Sequence, residues 1–470
     1  MSKTIKADLC IIGAGSAGLS VAAGAAQLGR KVVLLEKGKM GGDCLNYGCV
    51  PSKALIAAAN AAHHARTSAK FGIKADPVVD FPKVMDHVES VIAAIEPHDS
   101  QERFEGLGVT VIREHGRFTG PRTIAAGDKT ISAKHFLIAT GSSPFIPPID
   151  GLAQSPYLTN ETIFANRQLP DHLIVIGGGP IGVELAQAHC RLGSSVSIIE
   201  ASTILNRDDP DAVSVVRASL LADGIDLKEN QSAAHVDHDG HGFTVRLTNG
   251  EEVRGSHLLV AVGRRTNTDD LGLEQAGVAT DKRGIIANDR LQTDNKRIYC
   301  AGDVAGGLQF THVAGDHAST IVRNVLFKMP AKRRDDIAPK VTYCDPEVAS
   351  VGLSEQEAQS KDKSAKTVTW PFKDNDRAQT EANTNGFIKV VTRKNGDILG
   401  ATIVGKGAGN EIGLWAYALA NGHNIKAMTN YIAPYPTRGE VSKRAGGAYY
   451  TPSLFSARAR LLVRLLSTFD

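Results

Sequence analysis

Leu9-Cys10-Ile11-Ile12-Gly13-Ala14-Gly15-Ser16-Ala17-Gly18 is the stretch from which the fold can be read. Four apolar residues in a row suit a strand buried on both faces, as in a parallel sheet. The glycines then turn the chain into an Ala-rich run that predicts a helix to about Leu28. Lys31–Leu35 reads as the next strand and ends in Glu36. Together these make a dinucleotide fingerprint. Gly13, Gly15 and Gly18 serve the turn and the approach of a pyrophosphate, the helix N-terminus faces the phosphates, and the acid meets the ribose. A lone GxGxxG could be a loop, but this one has its strand, helix and acid in order.

The pattern returns further on. Leu173–Ile176 leads into Gly177-Gly178-Gly179-Pro180-Ile181-Gly182, then a helix through Leu192, the strand Val196–Ile199 and Glu200. Each landmark is displaced by 164 residues: Gly13 to Gly177, Leu28 to Leu192, Val32 to Val196, Glu36 to Glu200. Two copies, with Gly177, Gly179 and Gly182 in the second, imply two bound dinucleotides and an α/β fold with two Rossmann-like domains.

Between the copies lies Gly41-Gly42-Asp43-Cys44-Leu45-Asn46-Tyr47-Gly48-Cys49-Val50-Pro51-Ser52-Lys53. In a regular helix the spacing of Cys44 and Cys49 would hold their Cα atoms roughly 8–9 Å apart. A disulfide wants about 4.4–6.8 Å. A bond between them therefore requires the backbone to leave helical geometry, and Gly48 is expected to let it. Pro51 fits the first helical position, which puts Cys49 at a helix mouth where a thiolate is favoured. This is the outline of a redox centre. Zinc is a poor alternative, because the adjacent His63 and His64 cannot clamp one ion as a spaced pair does.

The thirteen-residue stretch from Gly41 to Lys53 resembles the active-site signature of the flavin-dependent pyridine nucleotide–disulfide oxidoreductases. That family includes dihydrolipoamide dehydrogenase, glutathione reductase and mercuric reductase. The resemblance implies electron flow from NAD(P)H through FAD to a Cys44–Cys49 disulfide and on to a disulfide or metal-ion acceptor. FAD would then occupy the first fingerprint, with Gly42, Gly116, Thr140, Gly141, Asp303 and Thr311 completing its site. NAD would occupy the second, with Gly263 on the return from that domain. Lys53 and Glu184 match the family's ion pair beneath the flavin. Glu200 is an acid where a 2′-phosphate would sit, so NADH is expected over NADPH, although Arg207 lies close by. Val341–Leu353 resembles the start of the interface domain, which implies a homodimer with shared active sites. The expected divisions are 1–149 with 271–340 for FAD, 150–270 for NAD, 341–450 for an α+β dimerisation domain, and 451–470 as a tail.

One segment departs from the lipoamide and glutathione reductase pattern, in which a histidine precedes Pro-Thr and a glutamate follows five positions later. Here Glu440 is kept, but Tyr435 stands at the base position. Tyrosine has a pKa near 10 against about 6.5 for histidine. Loss of a matched general base costs about 10²–10⁴ in rate. The segment is similar to mercuric reductase, in which a tyrosine stands there. That enzyme, however, delivers Hg(II) through a vicinal cysteine pair near its C-terminus, whereas Cys344 is the last cysteine here. An NADH oxidase or quinone reductase, or a flavoprotein redox sensor or complex subunit, is the alternative reading.

A net charge of +3 on 470 residues argues against a nucleic-acid partner. The N-terminal residues enter a strand almost at once and no stretch reaches the roughly 18 apolar residues of a membrane span, so a cytoplasmic protein is expected. In the tail, Arg458, Arg460 and Arg464 are interspersed with Leu454, Phe455, Leu461, Leu462, Val463, Leu465, Leu466 and Phe469. A basic amphipathic helix of this kind either packs on its own protein or dimer partner, the expectation favoured by pattern, or makes peripheral contact with a membrane.

Overall fold

In the computed structural model, which describes residues 3–469, the Leu9–Ile12 run ends the strand Lys3–Ile12 at the middle of a seven-stranded sheet. Thr110–Ile112, Val32–Leu35, Lys3–Ile12 and Lys129–Ile138 lie side by side and parallel, and Ile298–Cys300 pairs parallel to Lys129–Ile138. All four residues of Val32–Leu35 are buried, as a strand covered on both faces should be. Pairing of Leu9 with Val32 through Ile12 with Leu35 puts Gly13 and Glu36 together at the carboxyl edge of the sheet. The helix Ser16–Gln27 presents Ala17, Gly18, Ala22 and Ala25 inward, small residues that let it pack along the helix Thr311–Val325.

The second repeat follows the same plan. His172–Ile176 runs parallel between Ser195–Glu200 and His257–Val260, and Leu173 pairs with Val196 just as Leu9 pairs with Val32. Antiparallel strands Ala233–His238, Phe243–Leu247 and Glu252–Gly255 add Val236, Phe243 and Val245 to its core. Both repeats belong to one of two units, which takes in residues to Arg66, Ala75–Ala201 and Gln231–Asp335.

The other unit takes in Thr67–Lys74, Ser202–Asn230 and the residues from Asp336 onward. Its five-stranded antiparallel sheet has the order Lys340–Thr342, Glu347–Gly352, Ile398–Gly405, Phe387–Thr392, Lys366–Pro371. Trp415, Phe372, Ile388 and Ile403 fill the core, and the Trp415 indole donates to Ser442 Oγ at 3.0 Å. Buried Lys389 bonds both oxygens of Asp209 (2.9 and 2.8 Å) and Asp211 (2.6 Å). Of the expected tail, Thr451–Leu454 completes the helix Glu440–Leu454, and a separate helix, Ala457–Leu466, follows. Nothing in that second helix is buried, so the expected packing on its own protein is not made. Among the described residues no helix is long and apolar enough to cross a membrane.

Candidate functional site

The first glycine loop is built for close approach. Gly13 has φ +106°, and a Cβ there would fall 2.3 Å from the Ala139 carbonyl oxygen. A Cβ on Gly18 would fall 1.9 Å from the Gly13 oxygen, so only glycine lets the helix meet the strand. Glu36 Oε2 accepts the Ala14 N–H at 2.7 Å, fixing the carboxylate against the loop. Gly42 (φ +62°) brings the cysteine segment onto this loop, since a Cβ there would lie 2.7 Å from Gly15 Cα. Glu36, Glu114, His115, Gly116 and Thr140 line a pocket beside the loop. The Thr140 hydroxyl donates to the Asn267 carbonyl at 2.7 Å, and Gly141 (φ +68°) follows. Glycines that admit no side chain, a helix N-terminus and a held carboxylate fit a dinucleotide such as FAD.

The two cysteines sit on successive helices. Gly42–Asn46 stops at Tyr47 (φ −142°, ψ −2°), and Cys49 begins Cys49–Arg66. The chain leaves helical geometry between them at Tyr47, not through an unusual φ at Gly48. Gly48 is needed instead for space: a Cβ would lie 2.8 Å from Asp43 Oδ2 and 3.1 Å from the Asp43 carbonyl oxygen. Pro51 is the third helical residue, not the first as expected, and still lies in the turn whose N–H groups lack helical partners.

Cys44 and Cys49 are not joined by a disulfide in this structure. Thr311 Oγ1 lies 3.4 Å from Cys49 Sγ, and Thr311 itself opens the helix Thr311–Val325. The Cys44 thiol bonds the Cys49 sulfur. That bond first, then the Thr311 hydroxyl and the Lys53 ammonium, lowers Cys49 to about 6 against partial desolvation of an otherwise exposed sulfur. The same bond, with burial, pushes Cys44 far up. The pair thus shares one proton, held on Cys44. Lys53 lies one turn beyond Cys49 on the same helix face, and its Nζ is 2.7 Å from Oε2 of buried Glu184.

Around this pair runs a polar network that the sequence did not announce. Arg264 Nη2 lies 2.9 Å from Asp43 Oδ1, and its Nε donates to Ser142 Oγ at 2.7 Å. Ser142 donates in turn to Asp303 Oδ2 at 2.5 Å, and burial raises the Asp303 carboxyl above its usual range. Asn160 donates to Asp43 and to the Tyr47 carbonyl, both at 3.2 Å. Buried His317 accepts the Gly302 N–H (3.2 Å) and bonds Asp335 (3.2 Å), steadying the turn that carries Asp303. His312 stacks on Phe310 at 5.3 Å. Among the described residues, no group of three or more His, Cys, Asp or Glu side chains is arranged to hold a metal ion.

The second loop repeats the first. Gly177 has φ +112° with a Cβ position 2.5 Å from the Ala261 oxygen, and a Cβ on Gly182 would fall 1.9 Å from the Gly177 oxygen. Glu200 Oε2 accepts the Gly178 N–H at 2.7 Å, the counterpart of Glu36 on Ala14. Gly179 caps the helix Pro180–Leu192, and Gly263 (φ +131°) ends the approach from the strand His257–Val260.

Comparison with known proteins adds the family. The pyridine nucleotide-disulphide oxidoreductase pattern matches residues 7–318, and that family's dimerisation domain matches residues 338–445. The chain belongs to the pyridine nucleotide–disulphide oxidoreductases. It is 36% identical over 454 residues to mercuric reductase of Streptomyces lividans, covering 94% of this chain and 96% of that one. Dihydrolipoyl dehydrogenase of Geobacillus stearothermophilus is 35% identical over 453 residues, with 94% and 96% covered. Among solved structures, LpdA of Mycobacterium tuberculosis has a TM-score of 0.86 at 27% identity, covering 95% of this chain and 99% of that one. The HOCl-induced flavoprotein disulfide reductase RclA of Escherichia coli has a TM-score of 0.84 at 26% identity, covering 96% and 100%. As a member, this oxidoreductase is FAD- and NAD(P)-dependent, and its dimerisation domain supports a homodimer.

Within the oxidoreductase's dimerisation domain, Tyr435 and Glu440 do not meet through a hydrogen bond to each other. The Tyr435 phenol is 68% exposed and donates to Asp376 Oδ2 at 2.9 Å, a bond that raises its pKa further. Glu440 is bonded by Arg444, one turn along its helix, at 2.9 and 2.7 Å. Asp376 was missed because nothing local marks a carboxylate 59 residues upstream as a partner.

Proposed function

We propose that this enzyme takes electrons from NADH, in preference to NADPH, and delivers them through Cys44 and Cys49 to a thiophilic metal ion. FAD would be held by residues 1–149 with 271–340, chiefly at Gly13, Gly15, Gly18, Glu36, Gly42, Gly116, Thr140, Gly141, Asp303 and Thr311. The nicotinamide cofactor would be held by residues 150–270 at Gly177, Gly179, Gly182, Glu200 and Gly263. When bound, FAD supplies the relay that passes the electron pair of a nicotinamide hydride to the sulfurs.

The observation that carries the reading is the unequal pair of sulfurs. A Cys44–Cys49 disulfide that takes two electrons and one proton becomes a Cys44 thiol and a Cys49 thiolate. Thr311, Lys53 and the helix N-terminus stabilise that thiolate. The dithiol then returns two electrons to the acceptor as the sulfurs rejoin and Cys44 gives up its proton. Lys53 and Glu184 hold fixed charges beside this exchange.

Glu200 supports the NADH preference, since an acid accepts from ribose hydroxyls and repels a 2′-phosphate. Tyr435 supports a metal ion over lipoamide. A phenol bonded to Asp376 is a poor proton shuttle between thiols, whereas a metal ion needs a side chain to hold it at the sulfurs rather than a shuttle. The mercuric reductases among its relatives point the same way.

Anaerobic titration with NADH and with NADPH, followed by Hg(II), Cu(II) and lipoamide, tests the proposal. Expected are a long-wavelength thiolate-to-flavin absorption at two electrons, faster reduction by NADH, and reoxidation by a metal ion but not lipoamide. Absence of the band would sink the dithiol mechanism, and fast reoxidation by lipoamide would sink the acceptor assignment.

A further inference from the structure

The residues from Thr451 on lie beyond the matched dimerisation domain, which ends at residue 445. The helix Glu440–Leu454 contains Pro452 and stops at Phe455. Ser456 then caps a new ten-residue helix, Ala457–Leu466, accepting the Ala459 N–H at 3.2 Å. Leu461, Leu462, Val463, Leu465 and Leu466 are each 55–64% exposed, and Phe469 is 87% exposed. At 100° per residue Leu461, Leu462, Val463, Leu465 and Leu466 fill one broad arc of the helix, while Arg460 and Arg464 lie opposite. Arg458 falls inside the apolar arc but on the first turn, where its long stem can carry the guanidinium up to a polar layer. No acidic residue lies between Glu440 and Asp470.

We propose that Ala457–Leu466 is a lipid-docking helix that lies in the headgroup layer of an anionic bilayer. A monomeric soluble surface rarely carries so dense a set of exposed leucines. An apolar arc opposed by arginines alone is complementary to an interface that is apolar below and negative above. A second copy of the chain is the weaker occupant. The matched dimerisation domain is complete before this helix begins, and the helix offers an identical copy three positive charges and no negative one. Anchoring would confine the oxidoreductase to the bilayer surface whatever its acceptor.

The test is co-sedimentation of the full-length FAD-loaded protein with vesicles. We expect it to pellet with phosphatidylcholine containing about one quarter phosphatidylglycerol, and far less with phosphatidylcholine alone. The triple variant R458Q/R460Q/R464Q should weaken partitioning about a hundredfold, as three interfacial charges are lost. The pair L461S/L465S should also stay in the supernatant, and both variants should keep the wild-type rate of reduction by NADH. Failure of the full chain to pellet with anionic vesicles would overturn the proposal, as would pelleting of the triple variant or of a chain lacking 457–470 like the wild type. Conversion of the dimer to a monomer by that deletion would also overturn it, and would give the helix to a second copy.

Discussion

Cys49 shows how three neighbours set one residue's chemistry. The Cys44 thiol and the Thr311 hydroxyl each give its sulfur a hydrogen bond, and Lys53 adds a positive charge. Each favours the ionised form. With Cys49 lowered to about 6, the thiolate is full at neutral pH and is lost as pH falls through that value. In two-electron-reduced protein, the thiolate-to-flavin absorption should therefore fall by half near pH 6. Thr311→Val removes one donor, so the half-point should move up by about one pH unit, the worth of one such hydrogen bond. An unmoved half-point would mean that the hydroxyl does not act on the sulfur. Tyr435 is the opposite case, a residue whose neighbour makes it a worse base. Asp376 holds the phenol now and could orient an imidazole in its place. Tyr435→His should therefore raise lipoamide turnover by about 10². A change of less than about threefold would show that something other than the missing base excludes lipoamide.

The two glycine loops are one element used twice, which makes a paired prediction possible. Gly18→Ala and Gly182→Ala each force a methyl to within 1.9 Å of a backbone oxygen in their own loop. Relief must come from moving the helix off the strand, at a cost of about 1–3 kcal/mol or more. Gly18→Ala should purify with most of its FAD lost. Gly182→Ala should stay yellow but show KM for NADH raised at least about tenfold. Loss of FAD from both, judged by absorbance per chain, would contradict the assignment of separate cofactors. This repeat was legible in the sequence because no other residue fits where a Cβ would strike a backbone oxygen. The same reasoning explains Gly48, though there the obstacle is the Asp43 side chain, not the turn the spacing suggested. Contacts made by long side chains left no such mark. Arg264 reaches Asp43 from the far end of the second repeat, and any of several arginines would have read the same. Glu440 was legible as a residue but not in its bond. It sits four positions before Arg444, and that local pairing on a helix holds it.

At the scale of the whole molecule, the chemistry is divided between two matched regions of the chain. Both cysteines and both glycine loops fall within residues 7–318, whereas Tyr435 and Glu440 fall within the dimerisation domain at 338–445. If each active site takes its sulfurs from one subunit and its Tyr435 side from the other, the working unit is the dimer. Mixed dimers decide the matter. Cys44→Ser removes one sulfur of the pair, and the double variant Tyr435→Ala with Glu440→Ala removes the two dimerisation-domain residues. Each homodimer should be nearly inactive toward the acceptor while still being reduced by NADH. Reassembly from equal amounts should make half the dimers mixed. In a shared arrangement, one site of each mixed dimer pairs an intact Cys44 with an intact Tyr435. About a quarter of wild-type turnover should then return, because half the dimers carry one working site of two. If each chain builds its site alone, every site in the mixture carries one lesion and no activity returns. Recovery near a quarter, with subunit exchange verified by a tag on one partner, would make Tyr435 a residue that acts across the interface. An inactive mixture with exchange complete would place both halves of the site on a single chain.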